Sequence, residues 1–89
     1  MLIGSTVKLK ATFKDFDGVV ADPTNVVIRF YDSKKIKTGE DIPAIKTGTG
    51  EYEYDYEVKQ DNKAFYEFSG ILDGLPVATR KPIIKKWTD

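Results

Sequence analysis

The most regular segment of the chain is Glu51-Tyr52-Glu53-Tyr54-Asp55-Tyr56-Glu57-Val58-Lys59. Apolar and charged residues alternate strictly along it. On a helix, residues two apart lie on different faces, so the three tyrosines would be scattered around the circumference. On a strand, alternate side chains share a face, which puts Tyr52, Tyr54, Tyr56 and Val58 on one side and the acids on the other. That is the pattern of a half-buried strand with one face on a core and one in water.

The same period runs outward in both directions. Val7, Leu9, Ala11 and Phe13 alternate with Lys8, Lys10, Thr12 and Lys14, giving a second half-buried strand with a lysine-rich outer face. Asp15-Phe16-Asp17-Gly18 reads as a turn, followed by a short extended pair at Val19 and Val20 and a second turn at Asp22-Pro23-Thr24-Asn25. Val26 to Tyr31 is β-branched and aromatic, with Val26, Ile28 and Phe30 on one face and Val27, Arg29 and Tyr31 on the other. Asp32 to Gly50 is polar and interrupted by Gly39, Gly48 and Gly50. It supports one short edge strand at Ile42-Pro43-Ala44-Ile45, with a helical turn or plain loop left open. After a turn at Gln60–Lys63, Ala64 to Ser69 forms another strand. Gly70, Gly74 and Pro76 bracket a loop, and Val77 to Trp87 is a last extended segment with an edge position or bend at Pro82. Short strands separated by turn signals, without an amphipathic helix, predict a sandwich or barrel.

Eighty-nine residues make one domain, spanning 1–89. At 10.0 kDa the folded surface should be roughly 5,200 Å². Fourteen basic and fourteen acidic residues cancel, so no whole-domain field draws in nucleic acid or an anionic membrane, and neither is expected as a partner. Cysteine and histidine are both absent, which removes disulfides, thiolate nucleophiles, the usual general base and the commonest transition-metal ligands. A non-enzymatic protein without a cofactor or small-molecule substrate is expected. The start Met1-Leu2-Ile3-Gly4-Ser5 lacks the charged region and apolar run of a signal peptide, and no stretch approaches the ~20 apolar residues of a membrane span. The expected place of synthesis and residence is the cytoplasm.

Four constellations could carry chemistry. Asp15, Asp17 and Asp22 resemble the start of a calcium loop, but the bidentate Glu that such a loop needs at its twelfth position is here Val26, and an ordinary turn is preferred. Glu51, Glu53, Asp55 and Glu57 could supply paired carboxylates for glycoside hydrolysis, but a single row does not face another across a cleft. The tyrosine stripe could stack sugars or bases, yet it alternates with acids, which favours core packing. Arg80, Lys81, Lys85 and Lys86 with Trp87 form a basic terminal segment that reads as a solvated edge. Tyr31, Phe65 and Trp87 are the candidate surface aromatics, and together they would mark an interface.

The elements Val7–Phe13, Asp15–Gly18, Val19–Val20, Val26–Phe30, Gly50–Tyr56 and Tyr66–Phe68 together resemble bacterial and phage immunoglobulin-like domains. The opening Gly-x-x-Val-x-Leu-x-Ala-x-Phe, here Gly4, Val7, Leu9, Ala11 and Phe13, is similar to that of short standalone proteins encoded among phage and prophage structural genes. The resemblance implies an immunoglobulin-like antiparallel β-sandwich of about six to seven strands. It implies a structural or assembly role in a virion, protein partners or self-association, and incorporation in a particle after synthesis. It also implies that the Val7–Phe13 strand pairs antiparallel with the tyrosine strand, lysines against acids, and that an edge near the first or last strand is open to another chain. The rival expectation is a sandwich module that binds a carbohydrate or protein ligand.

Overall fold

The computed structural model describes residues 1–86. Seven strands follow one another: β1 (Thr6–Thr12), β2 (Thr24–Tyr31), β3 (Lys37–Pro43), β4 (Ile45–Gly48), β5 (Glu51–Glu57), β6 (Phe65–Leu72) and β7 (Leu75–Pro82). No helix is present among the described residues. All neighbouring strands pair antiparallel in two sheets, one ordered β1-β5-β4 and the other β3-β2-β6-β7.

Alternation puts the apolar face of each sheet against the other. Leu9, Ala11 and Phe13 with Tyr52, Tyr56 and Val58 come from the first sheet, and Ile28, Phe30, Tyr66 and Phe68 from the second. Aromatic rings close the gap between the layers. The Phe30 ring lies 5.4 Å from that of Tyr56 and 6.0 Å from that of Tyr54, while Phe13 meets Tyr52 edge-on at 5.7 Å. Offset and edge-to-face contacts of this kind add to what burial alone supplies. The molecule is therefore a β-sandwich, and it is elongated at 44 × 25 × 20 Å.

β1 and β5 pair in unbroken register, with Lys8 opposite Asp55 and Lys10 opposite Glu53. The Lys8 ammonium reaches both Asp55 at 3.0 Å and Glu53 at 3.3 Å. The lysine and acid rows expected from the sequence thus face each other across the ladder, and the two carboxylates push the Lys8 pKa upward.

Two regions differ from the sequence reading. Asp32–Gly50 holds two strands, and the chain changes sheets between them at Ala44. Both are edge strands with mostly exposed residues, so neither shows a strong apolar period. The loop expected around Gly70–Pro76 shrinks to a two-residue hairpin turn at Asp73-Gly74, with φ of 51° and 77°, as a type I′ turn requires. Gly70 lies inside β6, where a Cβ would come within 2.8 Å of Pro23 and 3.0 Å of Val26, so the glycine marks a close approach.

The start of the chain is clasped to the segment after β7. Leu2 and Lys86 form a parallel bridge. Met1 N donates to Ile84 O at 2.9 Å, Lys86 N to Met1 O at 2.8 Å, and Ile3 N to Lys86 O at 2.7 Å. Lys85 and Asp61 form an ion pair that ties the same segment to the β5–β6 connection.

Candidate functional site

The outer face of the four-stranded sheet carries the polar side chains of otherwise apolar strands. Tyr31 is the cross-strand partner of Phe65, Arg29 that of Glu67, and Val27 that of Ser69. Across the next ladder Glu67 faces Arg80. Glu67 is 9% exposed, and its carboxylate is well supplied with donors. The Tyr31 hydroxyl donates to it at 3.0 Å and Arg80 Nε at 3.2 Å, with Arg80 Nη2 at 3.1 Å and Arg29 Nη1 at 3.7 Å. Arg29 Nε lies 2.9 Å from Asp41, and Lys37 approaches the same carboxylate. The hydrogen bond from Arg29, followed by that from Lys37, holds the Asp41 pKa down at about 2.

This network changes the reading of the surface aromatics. Tyr31 and Phe65 sit side by side on the outer face as expected, but both are half-buried. The Arg80 guanidinium stacks over the Tyr31 ring at 4.2 Å, a cation–π contact that covers the ring. Trp87 lies outside the described residues. Among the described residues the fully presented aromatic is Phe16, 72% exposed at the tip of the β1–β2 loop. The signal was in the sequence, because a large aromatic between two turn-forming aspartates has no core to enter. Arg29 and Glu67 within apolar strands were likewise a readable sign of a paired charge.

Beside the ion-pair network lies a groove of about 450 Å³ lined by Val27, Ser69, Ile71, Pro76 and Ala78, with Arg29 and Asp41 at one end. It exists because Ser69 and Ala78, cross-strand partners, are small. Its charged groups are bonded to each other, so the groove is suited to holding an apolar segment.

The three calcium candidates do not converge. Asp15 Oδ1 accepts the N–H groups of Asp17 and Val19, both at 2.9 Å, and so builds its own loop. Asp22 accepts the Gly50 N–H and pairs with Lys46 at 3.0 Å, and these contacts, the backbone one first, lower its pKa. Among the described residues no group of three or more acids could hold a metal ion. The acids of β5 form the expected row, Tyr52 and Tyr56 are buried in the core and Tyr54 is half-buried. In the terminal basic segment, Arg80 is committed to Glu67 and Lys85 to Asp61, while Lys81 and Lys86 are exposed.

The edges of the two sheets differ. β3 is bulged and ends at Pro43, β4 has four residues, and β7 carries Pro76 and Pro82 near its ends. All three are blunted against further pairing. β1 has seven residues, no proline and no bulge, and among the described residues it pairs only with β5. Phe13 N donates to Gly50 O at 2.8 Å, so by alternation Val7, Leu9 and Ala11 point their backbone groups at β5. Thr6, Lys8, Lys10 and Thr12 point theirs outward.

Two loops of matching design stand at opposite ends of β2. In Asp32–Ile36, Asp32 Oδ1 accepts the N–H groups of Lys34 and Ile36 at 2.8 and 3.0 Å, as Asp15 does in Asp15–Val19. Behind the second loop two hollows of about 450 and 370 Å³ share Asp32, Asn62 and Lys63. Comparison of the chain with protein-family models, curated proteins and solved structures finds no match in any of the three. No helix among the described residues is long and apolar enough to cross a membrane.

Proposed function

We propose that this chain is an immunoglobulin-like, non-enzymatic assembly subunit, associated with a phage or prophage particle, that works through sheet-edge and aromatic-face contacts. The observation that carries the reading is the open edge of β1. It is a regular seven-residue strand beside three blunted edges, and its outward backbone groups form a template for another strand. Lys8 and Lys10 on its outer face favour an added strand bearing acids and oppose pairing of two β1 edges, where lysines would face lysines. Lettering the strands B to G gives sheets B-E-D and C′-C-F-G, the immunoglobulin order without its first strand, which supports the fold assignment. The virion setting is supported by the resemblance at Gly4–Phe13, and mass spectrometry of purified particles tests it.

Lys10→Pro tests the edge itself. Proline there removes an outward N–H while sparing the ladder to β5. The expected result is an assembly lost while the melting temperature stays within a few degrees of the parent. Assembly unchanged by Lys10→Pro would refute the edge as the contact.

The groove beside Arg29 and Asp41 favours a second reading, a module that receives an apolar segment of a protein or sugar ligand. Chemical-shift changes confined to Val27, Ser69 and Ala78 on ligand addition would support it.

A further inference from the structure

We infer that the two ends of the sandwich are complementary, so that the Phe16 loop of one copy docks into the hollow at the far end of the next and builds a polar head-to-tail row. This deepens the assembly reading and rests on it. β2 separates the two ends: the loop before it presents Phe16, and the loop after it borders the hollow.

The Phe16 end has the form of an anchor. Phe16 is 72% exposed and Val19 61% exposed, and both sit on a loop fixed by two hydrogen bonds to Asp15. A rigid aromatic projecting from a pre-ordered loop loses little freedom on docking. The opposite end has the form of a receptor. Ile36 and Ala64 give the hollow an apolar floor within an otherwise polar rim of Asp32, Ser33, Lys34, Asp61, Asn62 and Lys63. In the neighbouring hollow the buried Thr38 Oγ1 has no hydrogen-bond partner among the described residues, while Asp61 Oδ2 at the wall has only the longer ion pair to Lys63 at 3.7 Å.

Charge fixes the polarity of the contact. At the Phe16 end Lys14 and Lys46, the latter paired with Asp22, stand against Asp15, Asp17 and Asp22, a net −1. Lining the two hollows, Lys34, Lys37 and Lys63 stand against Asp32 and Asp61, a net +1, and the ion-pair partners just outside, Asp41 on Lys37 and Lys85 on Asp61, cancel each other. A chain with no net charge therefore has one acidic and one basic end. Either end against itself would oppose like charges, whereas end against opposite end attracts. A contact of this heterologous kind does not close on itself as a two-fold dimer does. The sandwich cross-section of 25 × 20 Å offers about 500 Å² per copy, at the low end for a specific interface, so the row should form only at high concentration.

The test is solution mass by light scattering across a wide concentration range. The wild-type chain should grow progressively beyond the monomer, and less so as salt is raised. Phe16→Glu should be monomeric, and Phe16→Ala should weaken association by about tenfold or more. A Lys34→Glu/Lys63→Glu double variant should also be monomeric. Mixed, Phe16→Glu and the double variant should form a one-to-one dimer and nothing larger, since one retains its hollow and the other its anchor. A monomeric wild type, a Phe16→Glu chain that assembles like the parent, or a mixture that stays monomeric would each overturn the inference. If Lys10→Pro abolishes assembly while Phe16→Glu does not, the end contact falls and the β1-edge reading survives. The reverse outcome separates them the other way.

Discussion

Lys35→Gly should stabilise this protein, although it removes a side chain and adds none. Lys35 occupies the fourth position of the Asp32–Ile36 loop with φ of 65°, where its counterpart in Asp15–Val19 is Gly18 with φ of 81°. A side chain in this left-handed region costs about 1–2 kcal/mol. Glycine relieves that cost but enlarges the freedom of the unfolded chain, which takes back about 0.4–1 kcal/mol. The balance is a gain of roughly 0.5–1 kcal/mol. Gly18→Ala inverts the experiment. A Cβ there meets nothing within 4 Å, so only the conformational term changes and about the same amount is lost. In a domain of this size 1 kcal/mol moves the melting temperature by roughly 4–8 °C. Thermal unfolding by circular dichroism should therefore show Lys35→Gly a few degrees above the parent and Gly18→Ala a few degrees below. Equal signs for the two, or a destabilised Lys35→Gly, would refute the idea that the two loops are one design.

Phe68 is fully buried, and Phe68→Ala should cost about 3–5 kcal/mol in denaturant unfolding, against about 1 for Ile28→Val at another fully buried site. Acid should destabilise the fold. The carboxyls of Asp22, Asp41 and Asp61 are all held below the ordinary 3.8. At Asp61, burial pushes upward but is outweighed by Lys85 and the Lys63 N–H. Groups with lowered folded pKa contribute fully above the unfolded value and lose that contribution as pH falls through the folded one. With no histidine, stability should be level from about pH 5 to 8 and decline from about pH 4 towards 2, measurable by urea titration at each pH. Lys85→Met should strand the largely buried Asp61 carboxylate, lowering stability by about 1–3 kcal/mol and raising the Asp61 pKa in an NMR titration.

The legible parts of the fold are those where one strand face meets the core and the other meets water. β1 and β5 alternate cleanly, and their opposite charges agree with the pairing that the resemblance implies and the ladder shows. β3 and β4 escaped because an edge strand with one neighbour buries little, and Lys37–Gly48 therefore carries the composition of a loop. The sheet change at Ala44 has no local signature, since it depends on which sheet each half joins. At the surface, alternation placed Tyr31 and Phe65 on the outer face correctly. It could not show that Arg80, from a strand 49 positions away from Tyr31, would lie over the ring. Phe16 is plain in the sequence, but the residues around it point only to a turn or a cation loop.

The parallel clasp between Met1–Ile3 and Ile84–Lys86 gives the molecule a mechanical character. Because the two short segments run in the same direction, tension on Met1 and tension beyond Lys86 pull them along their length in opposite senses. The three hydrogen bonds are loaded side by side and must fail together, whereas an antiparallel pair held the same way would open one bond at a time. A chain pulled from both sides would thus resist at the clasp before any strand of either sheet bore load.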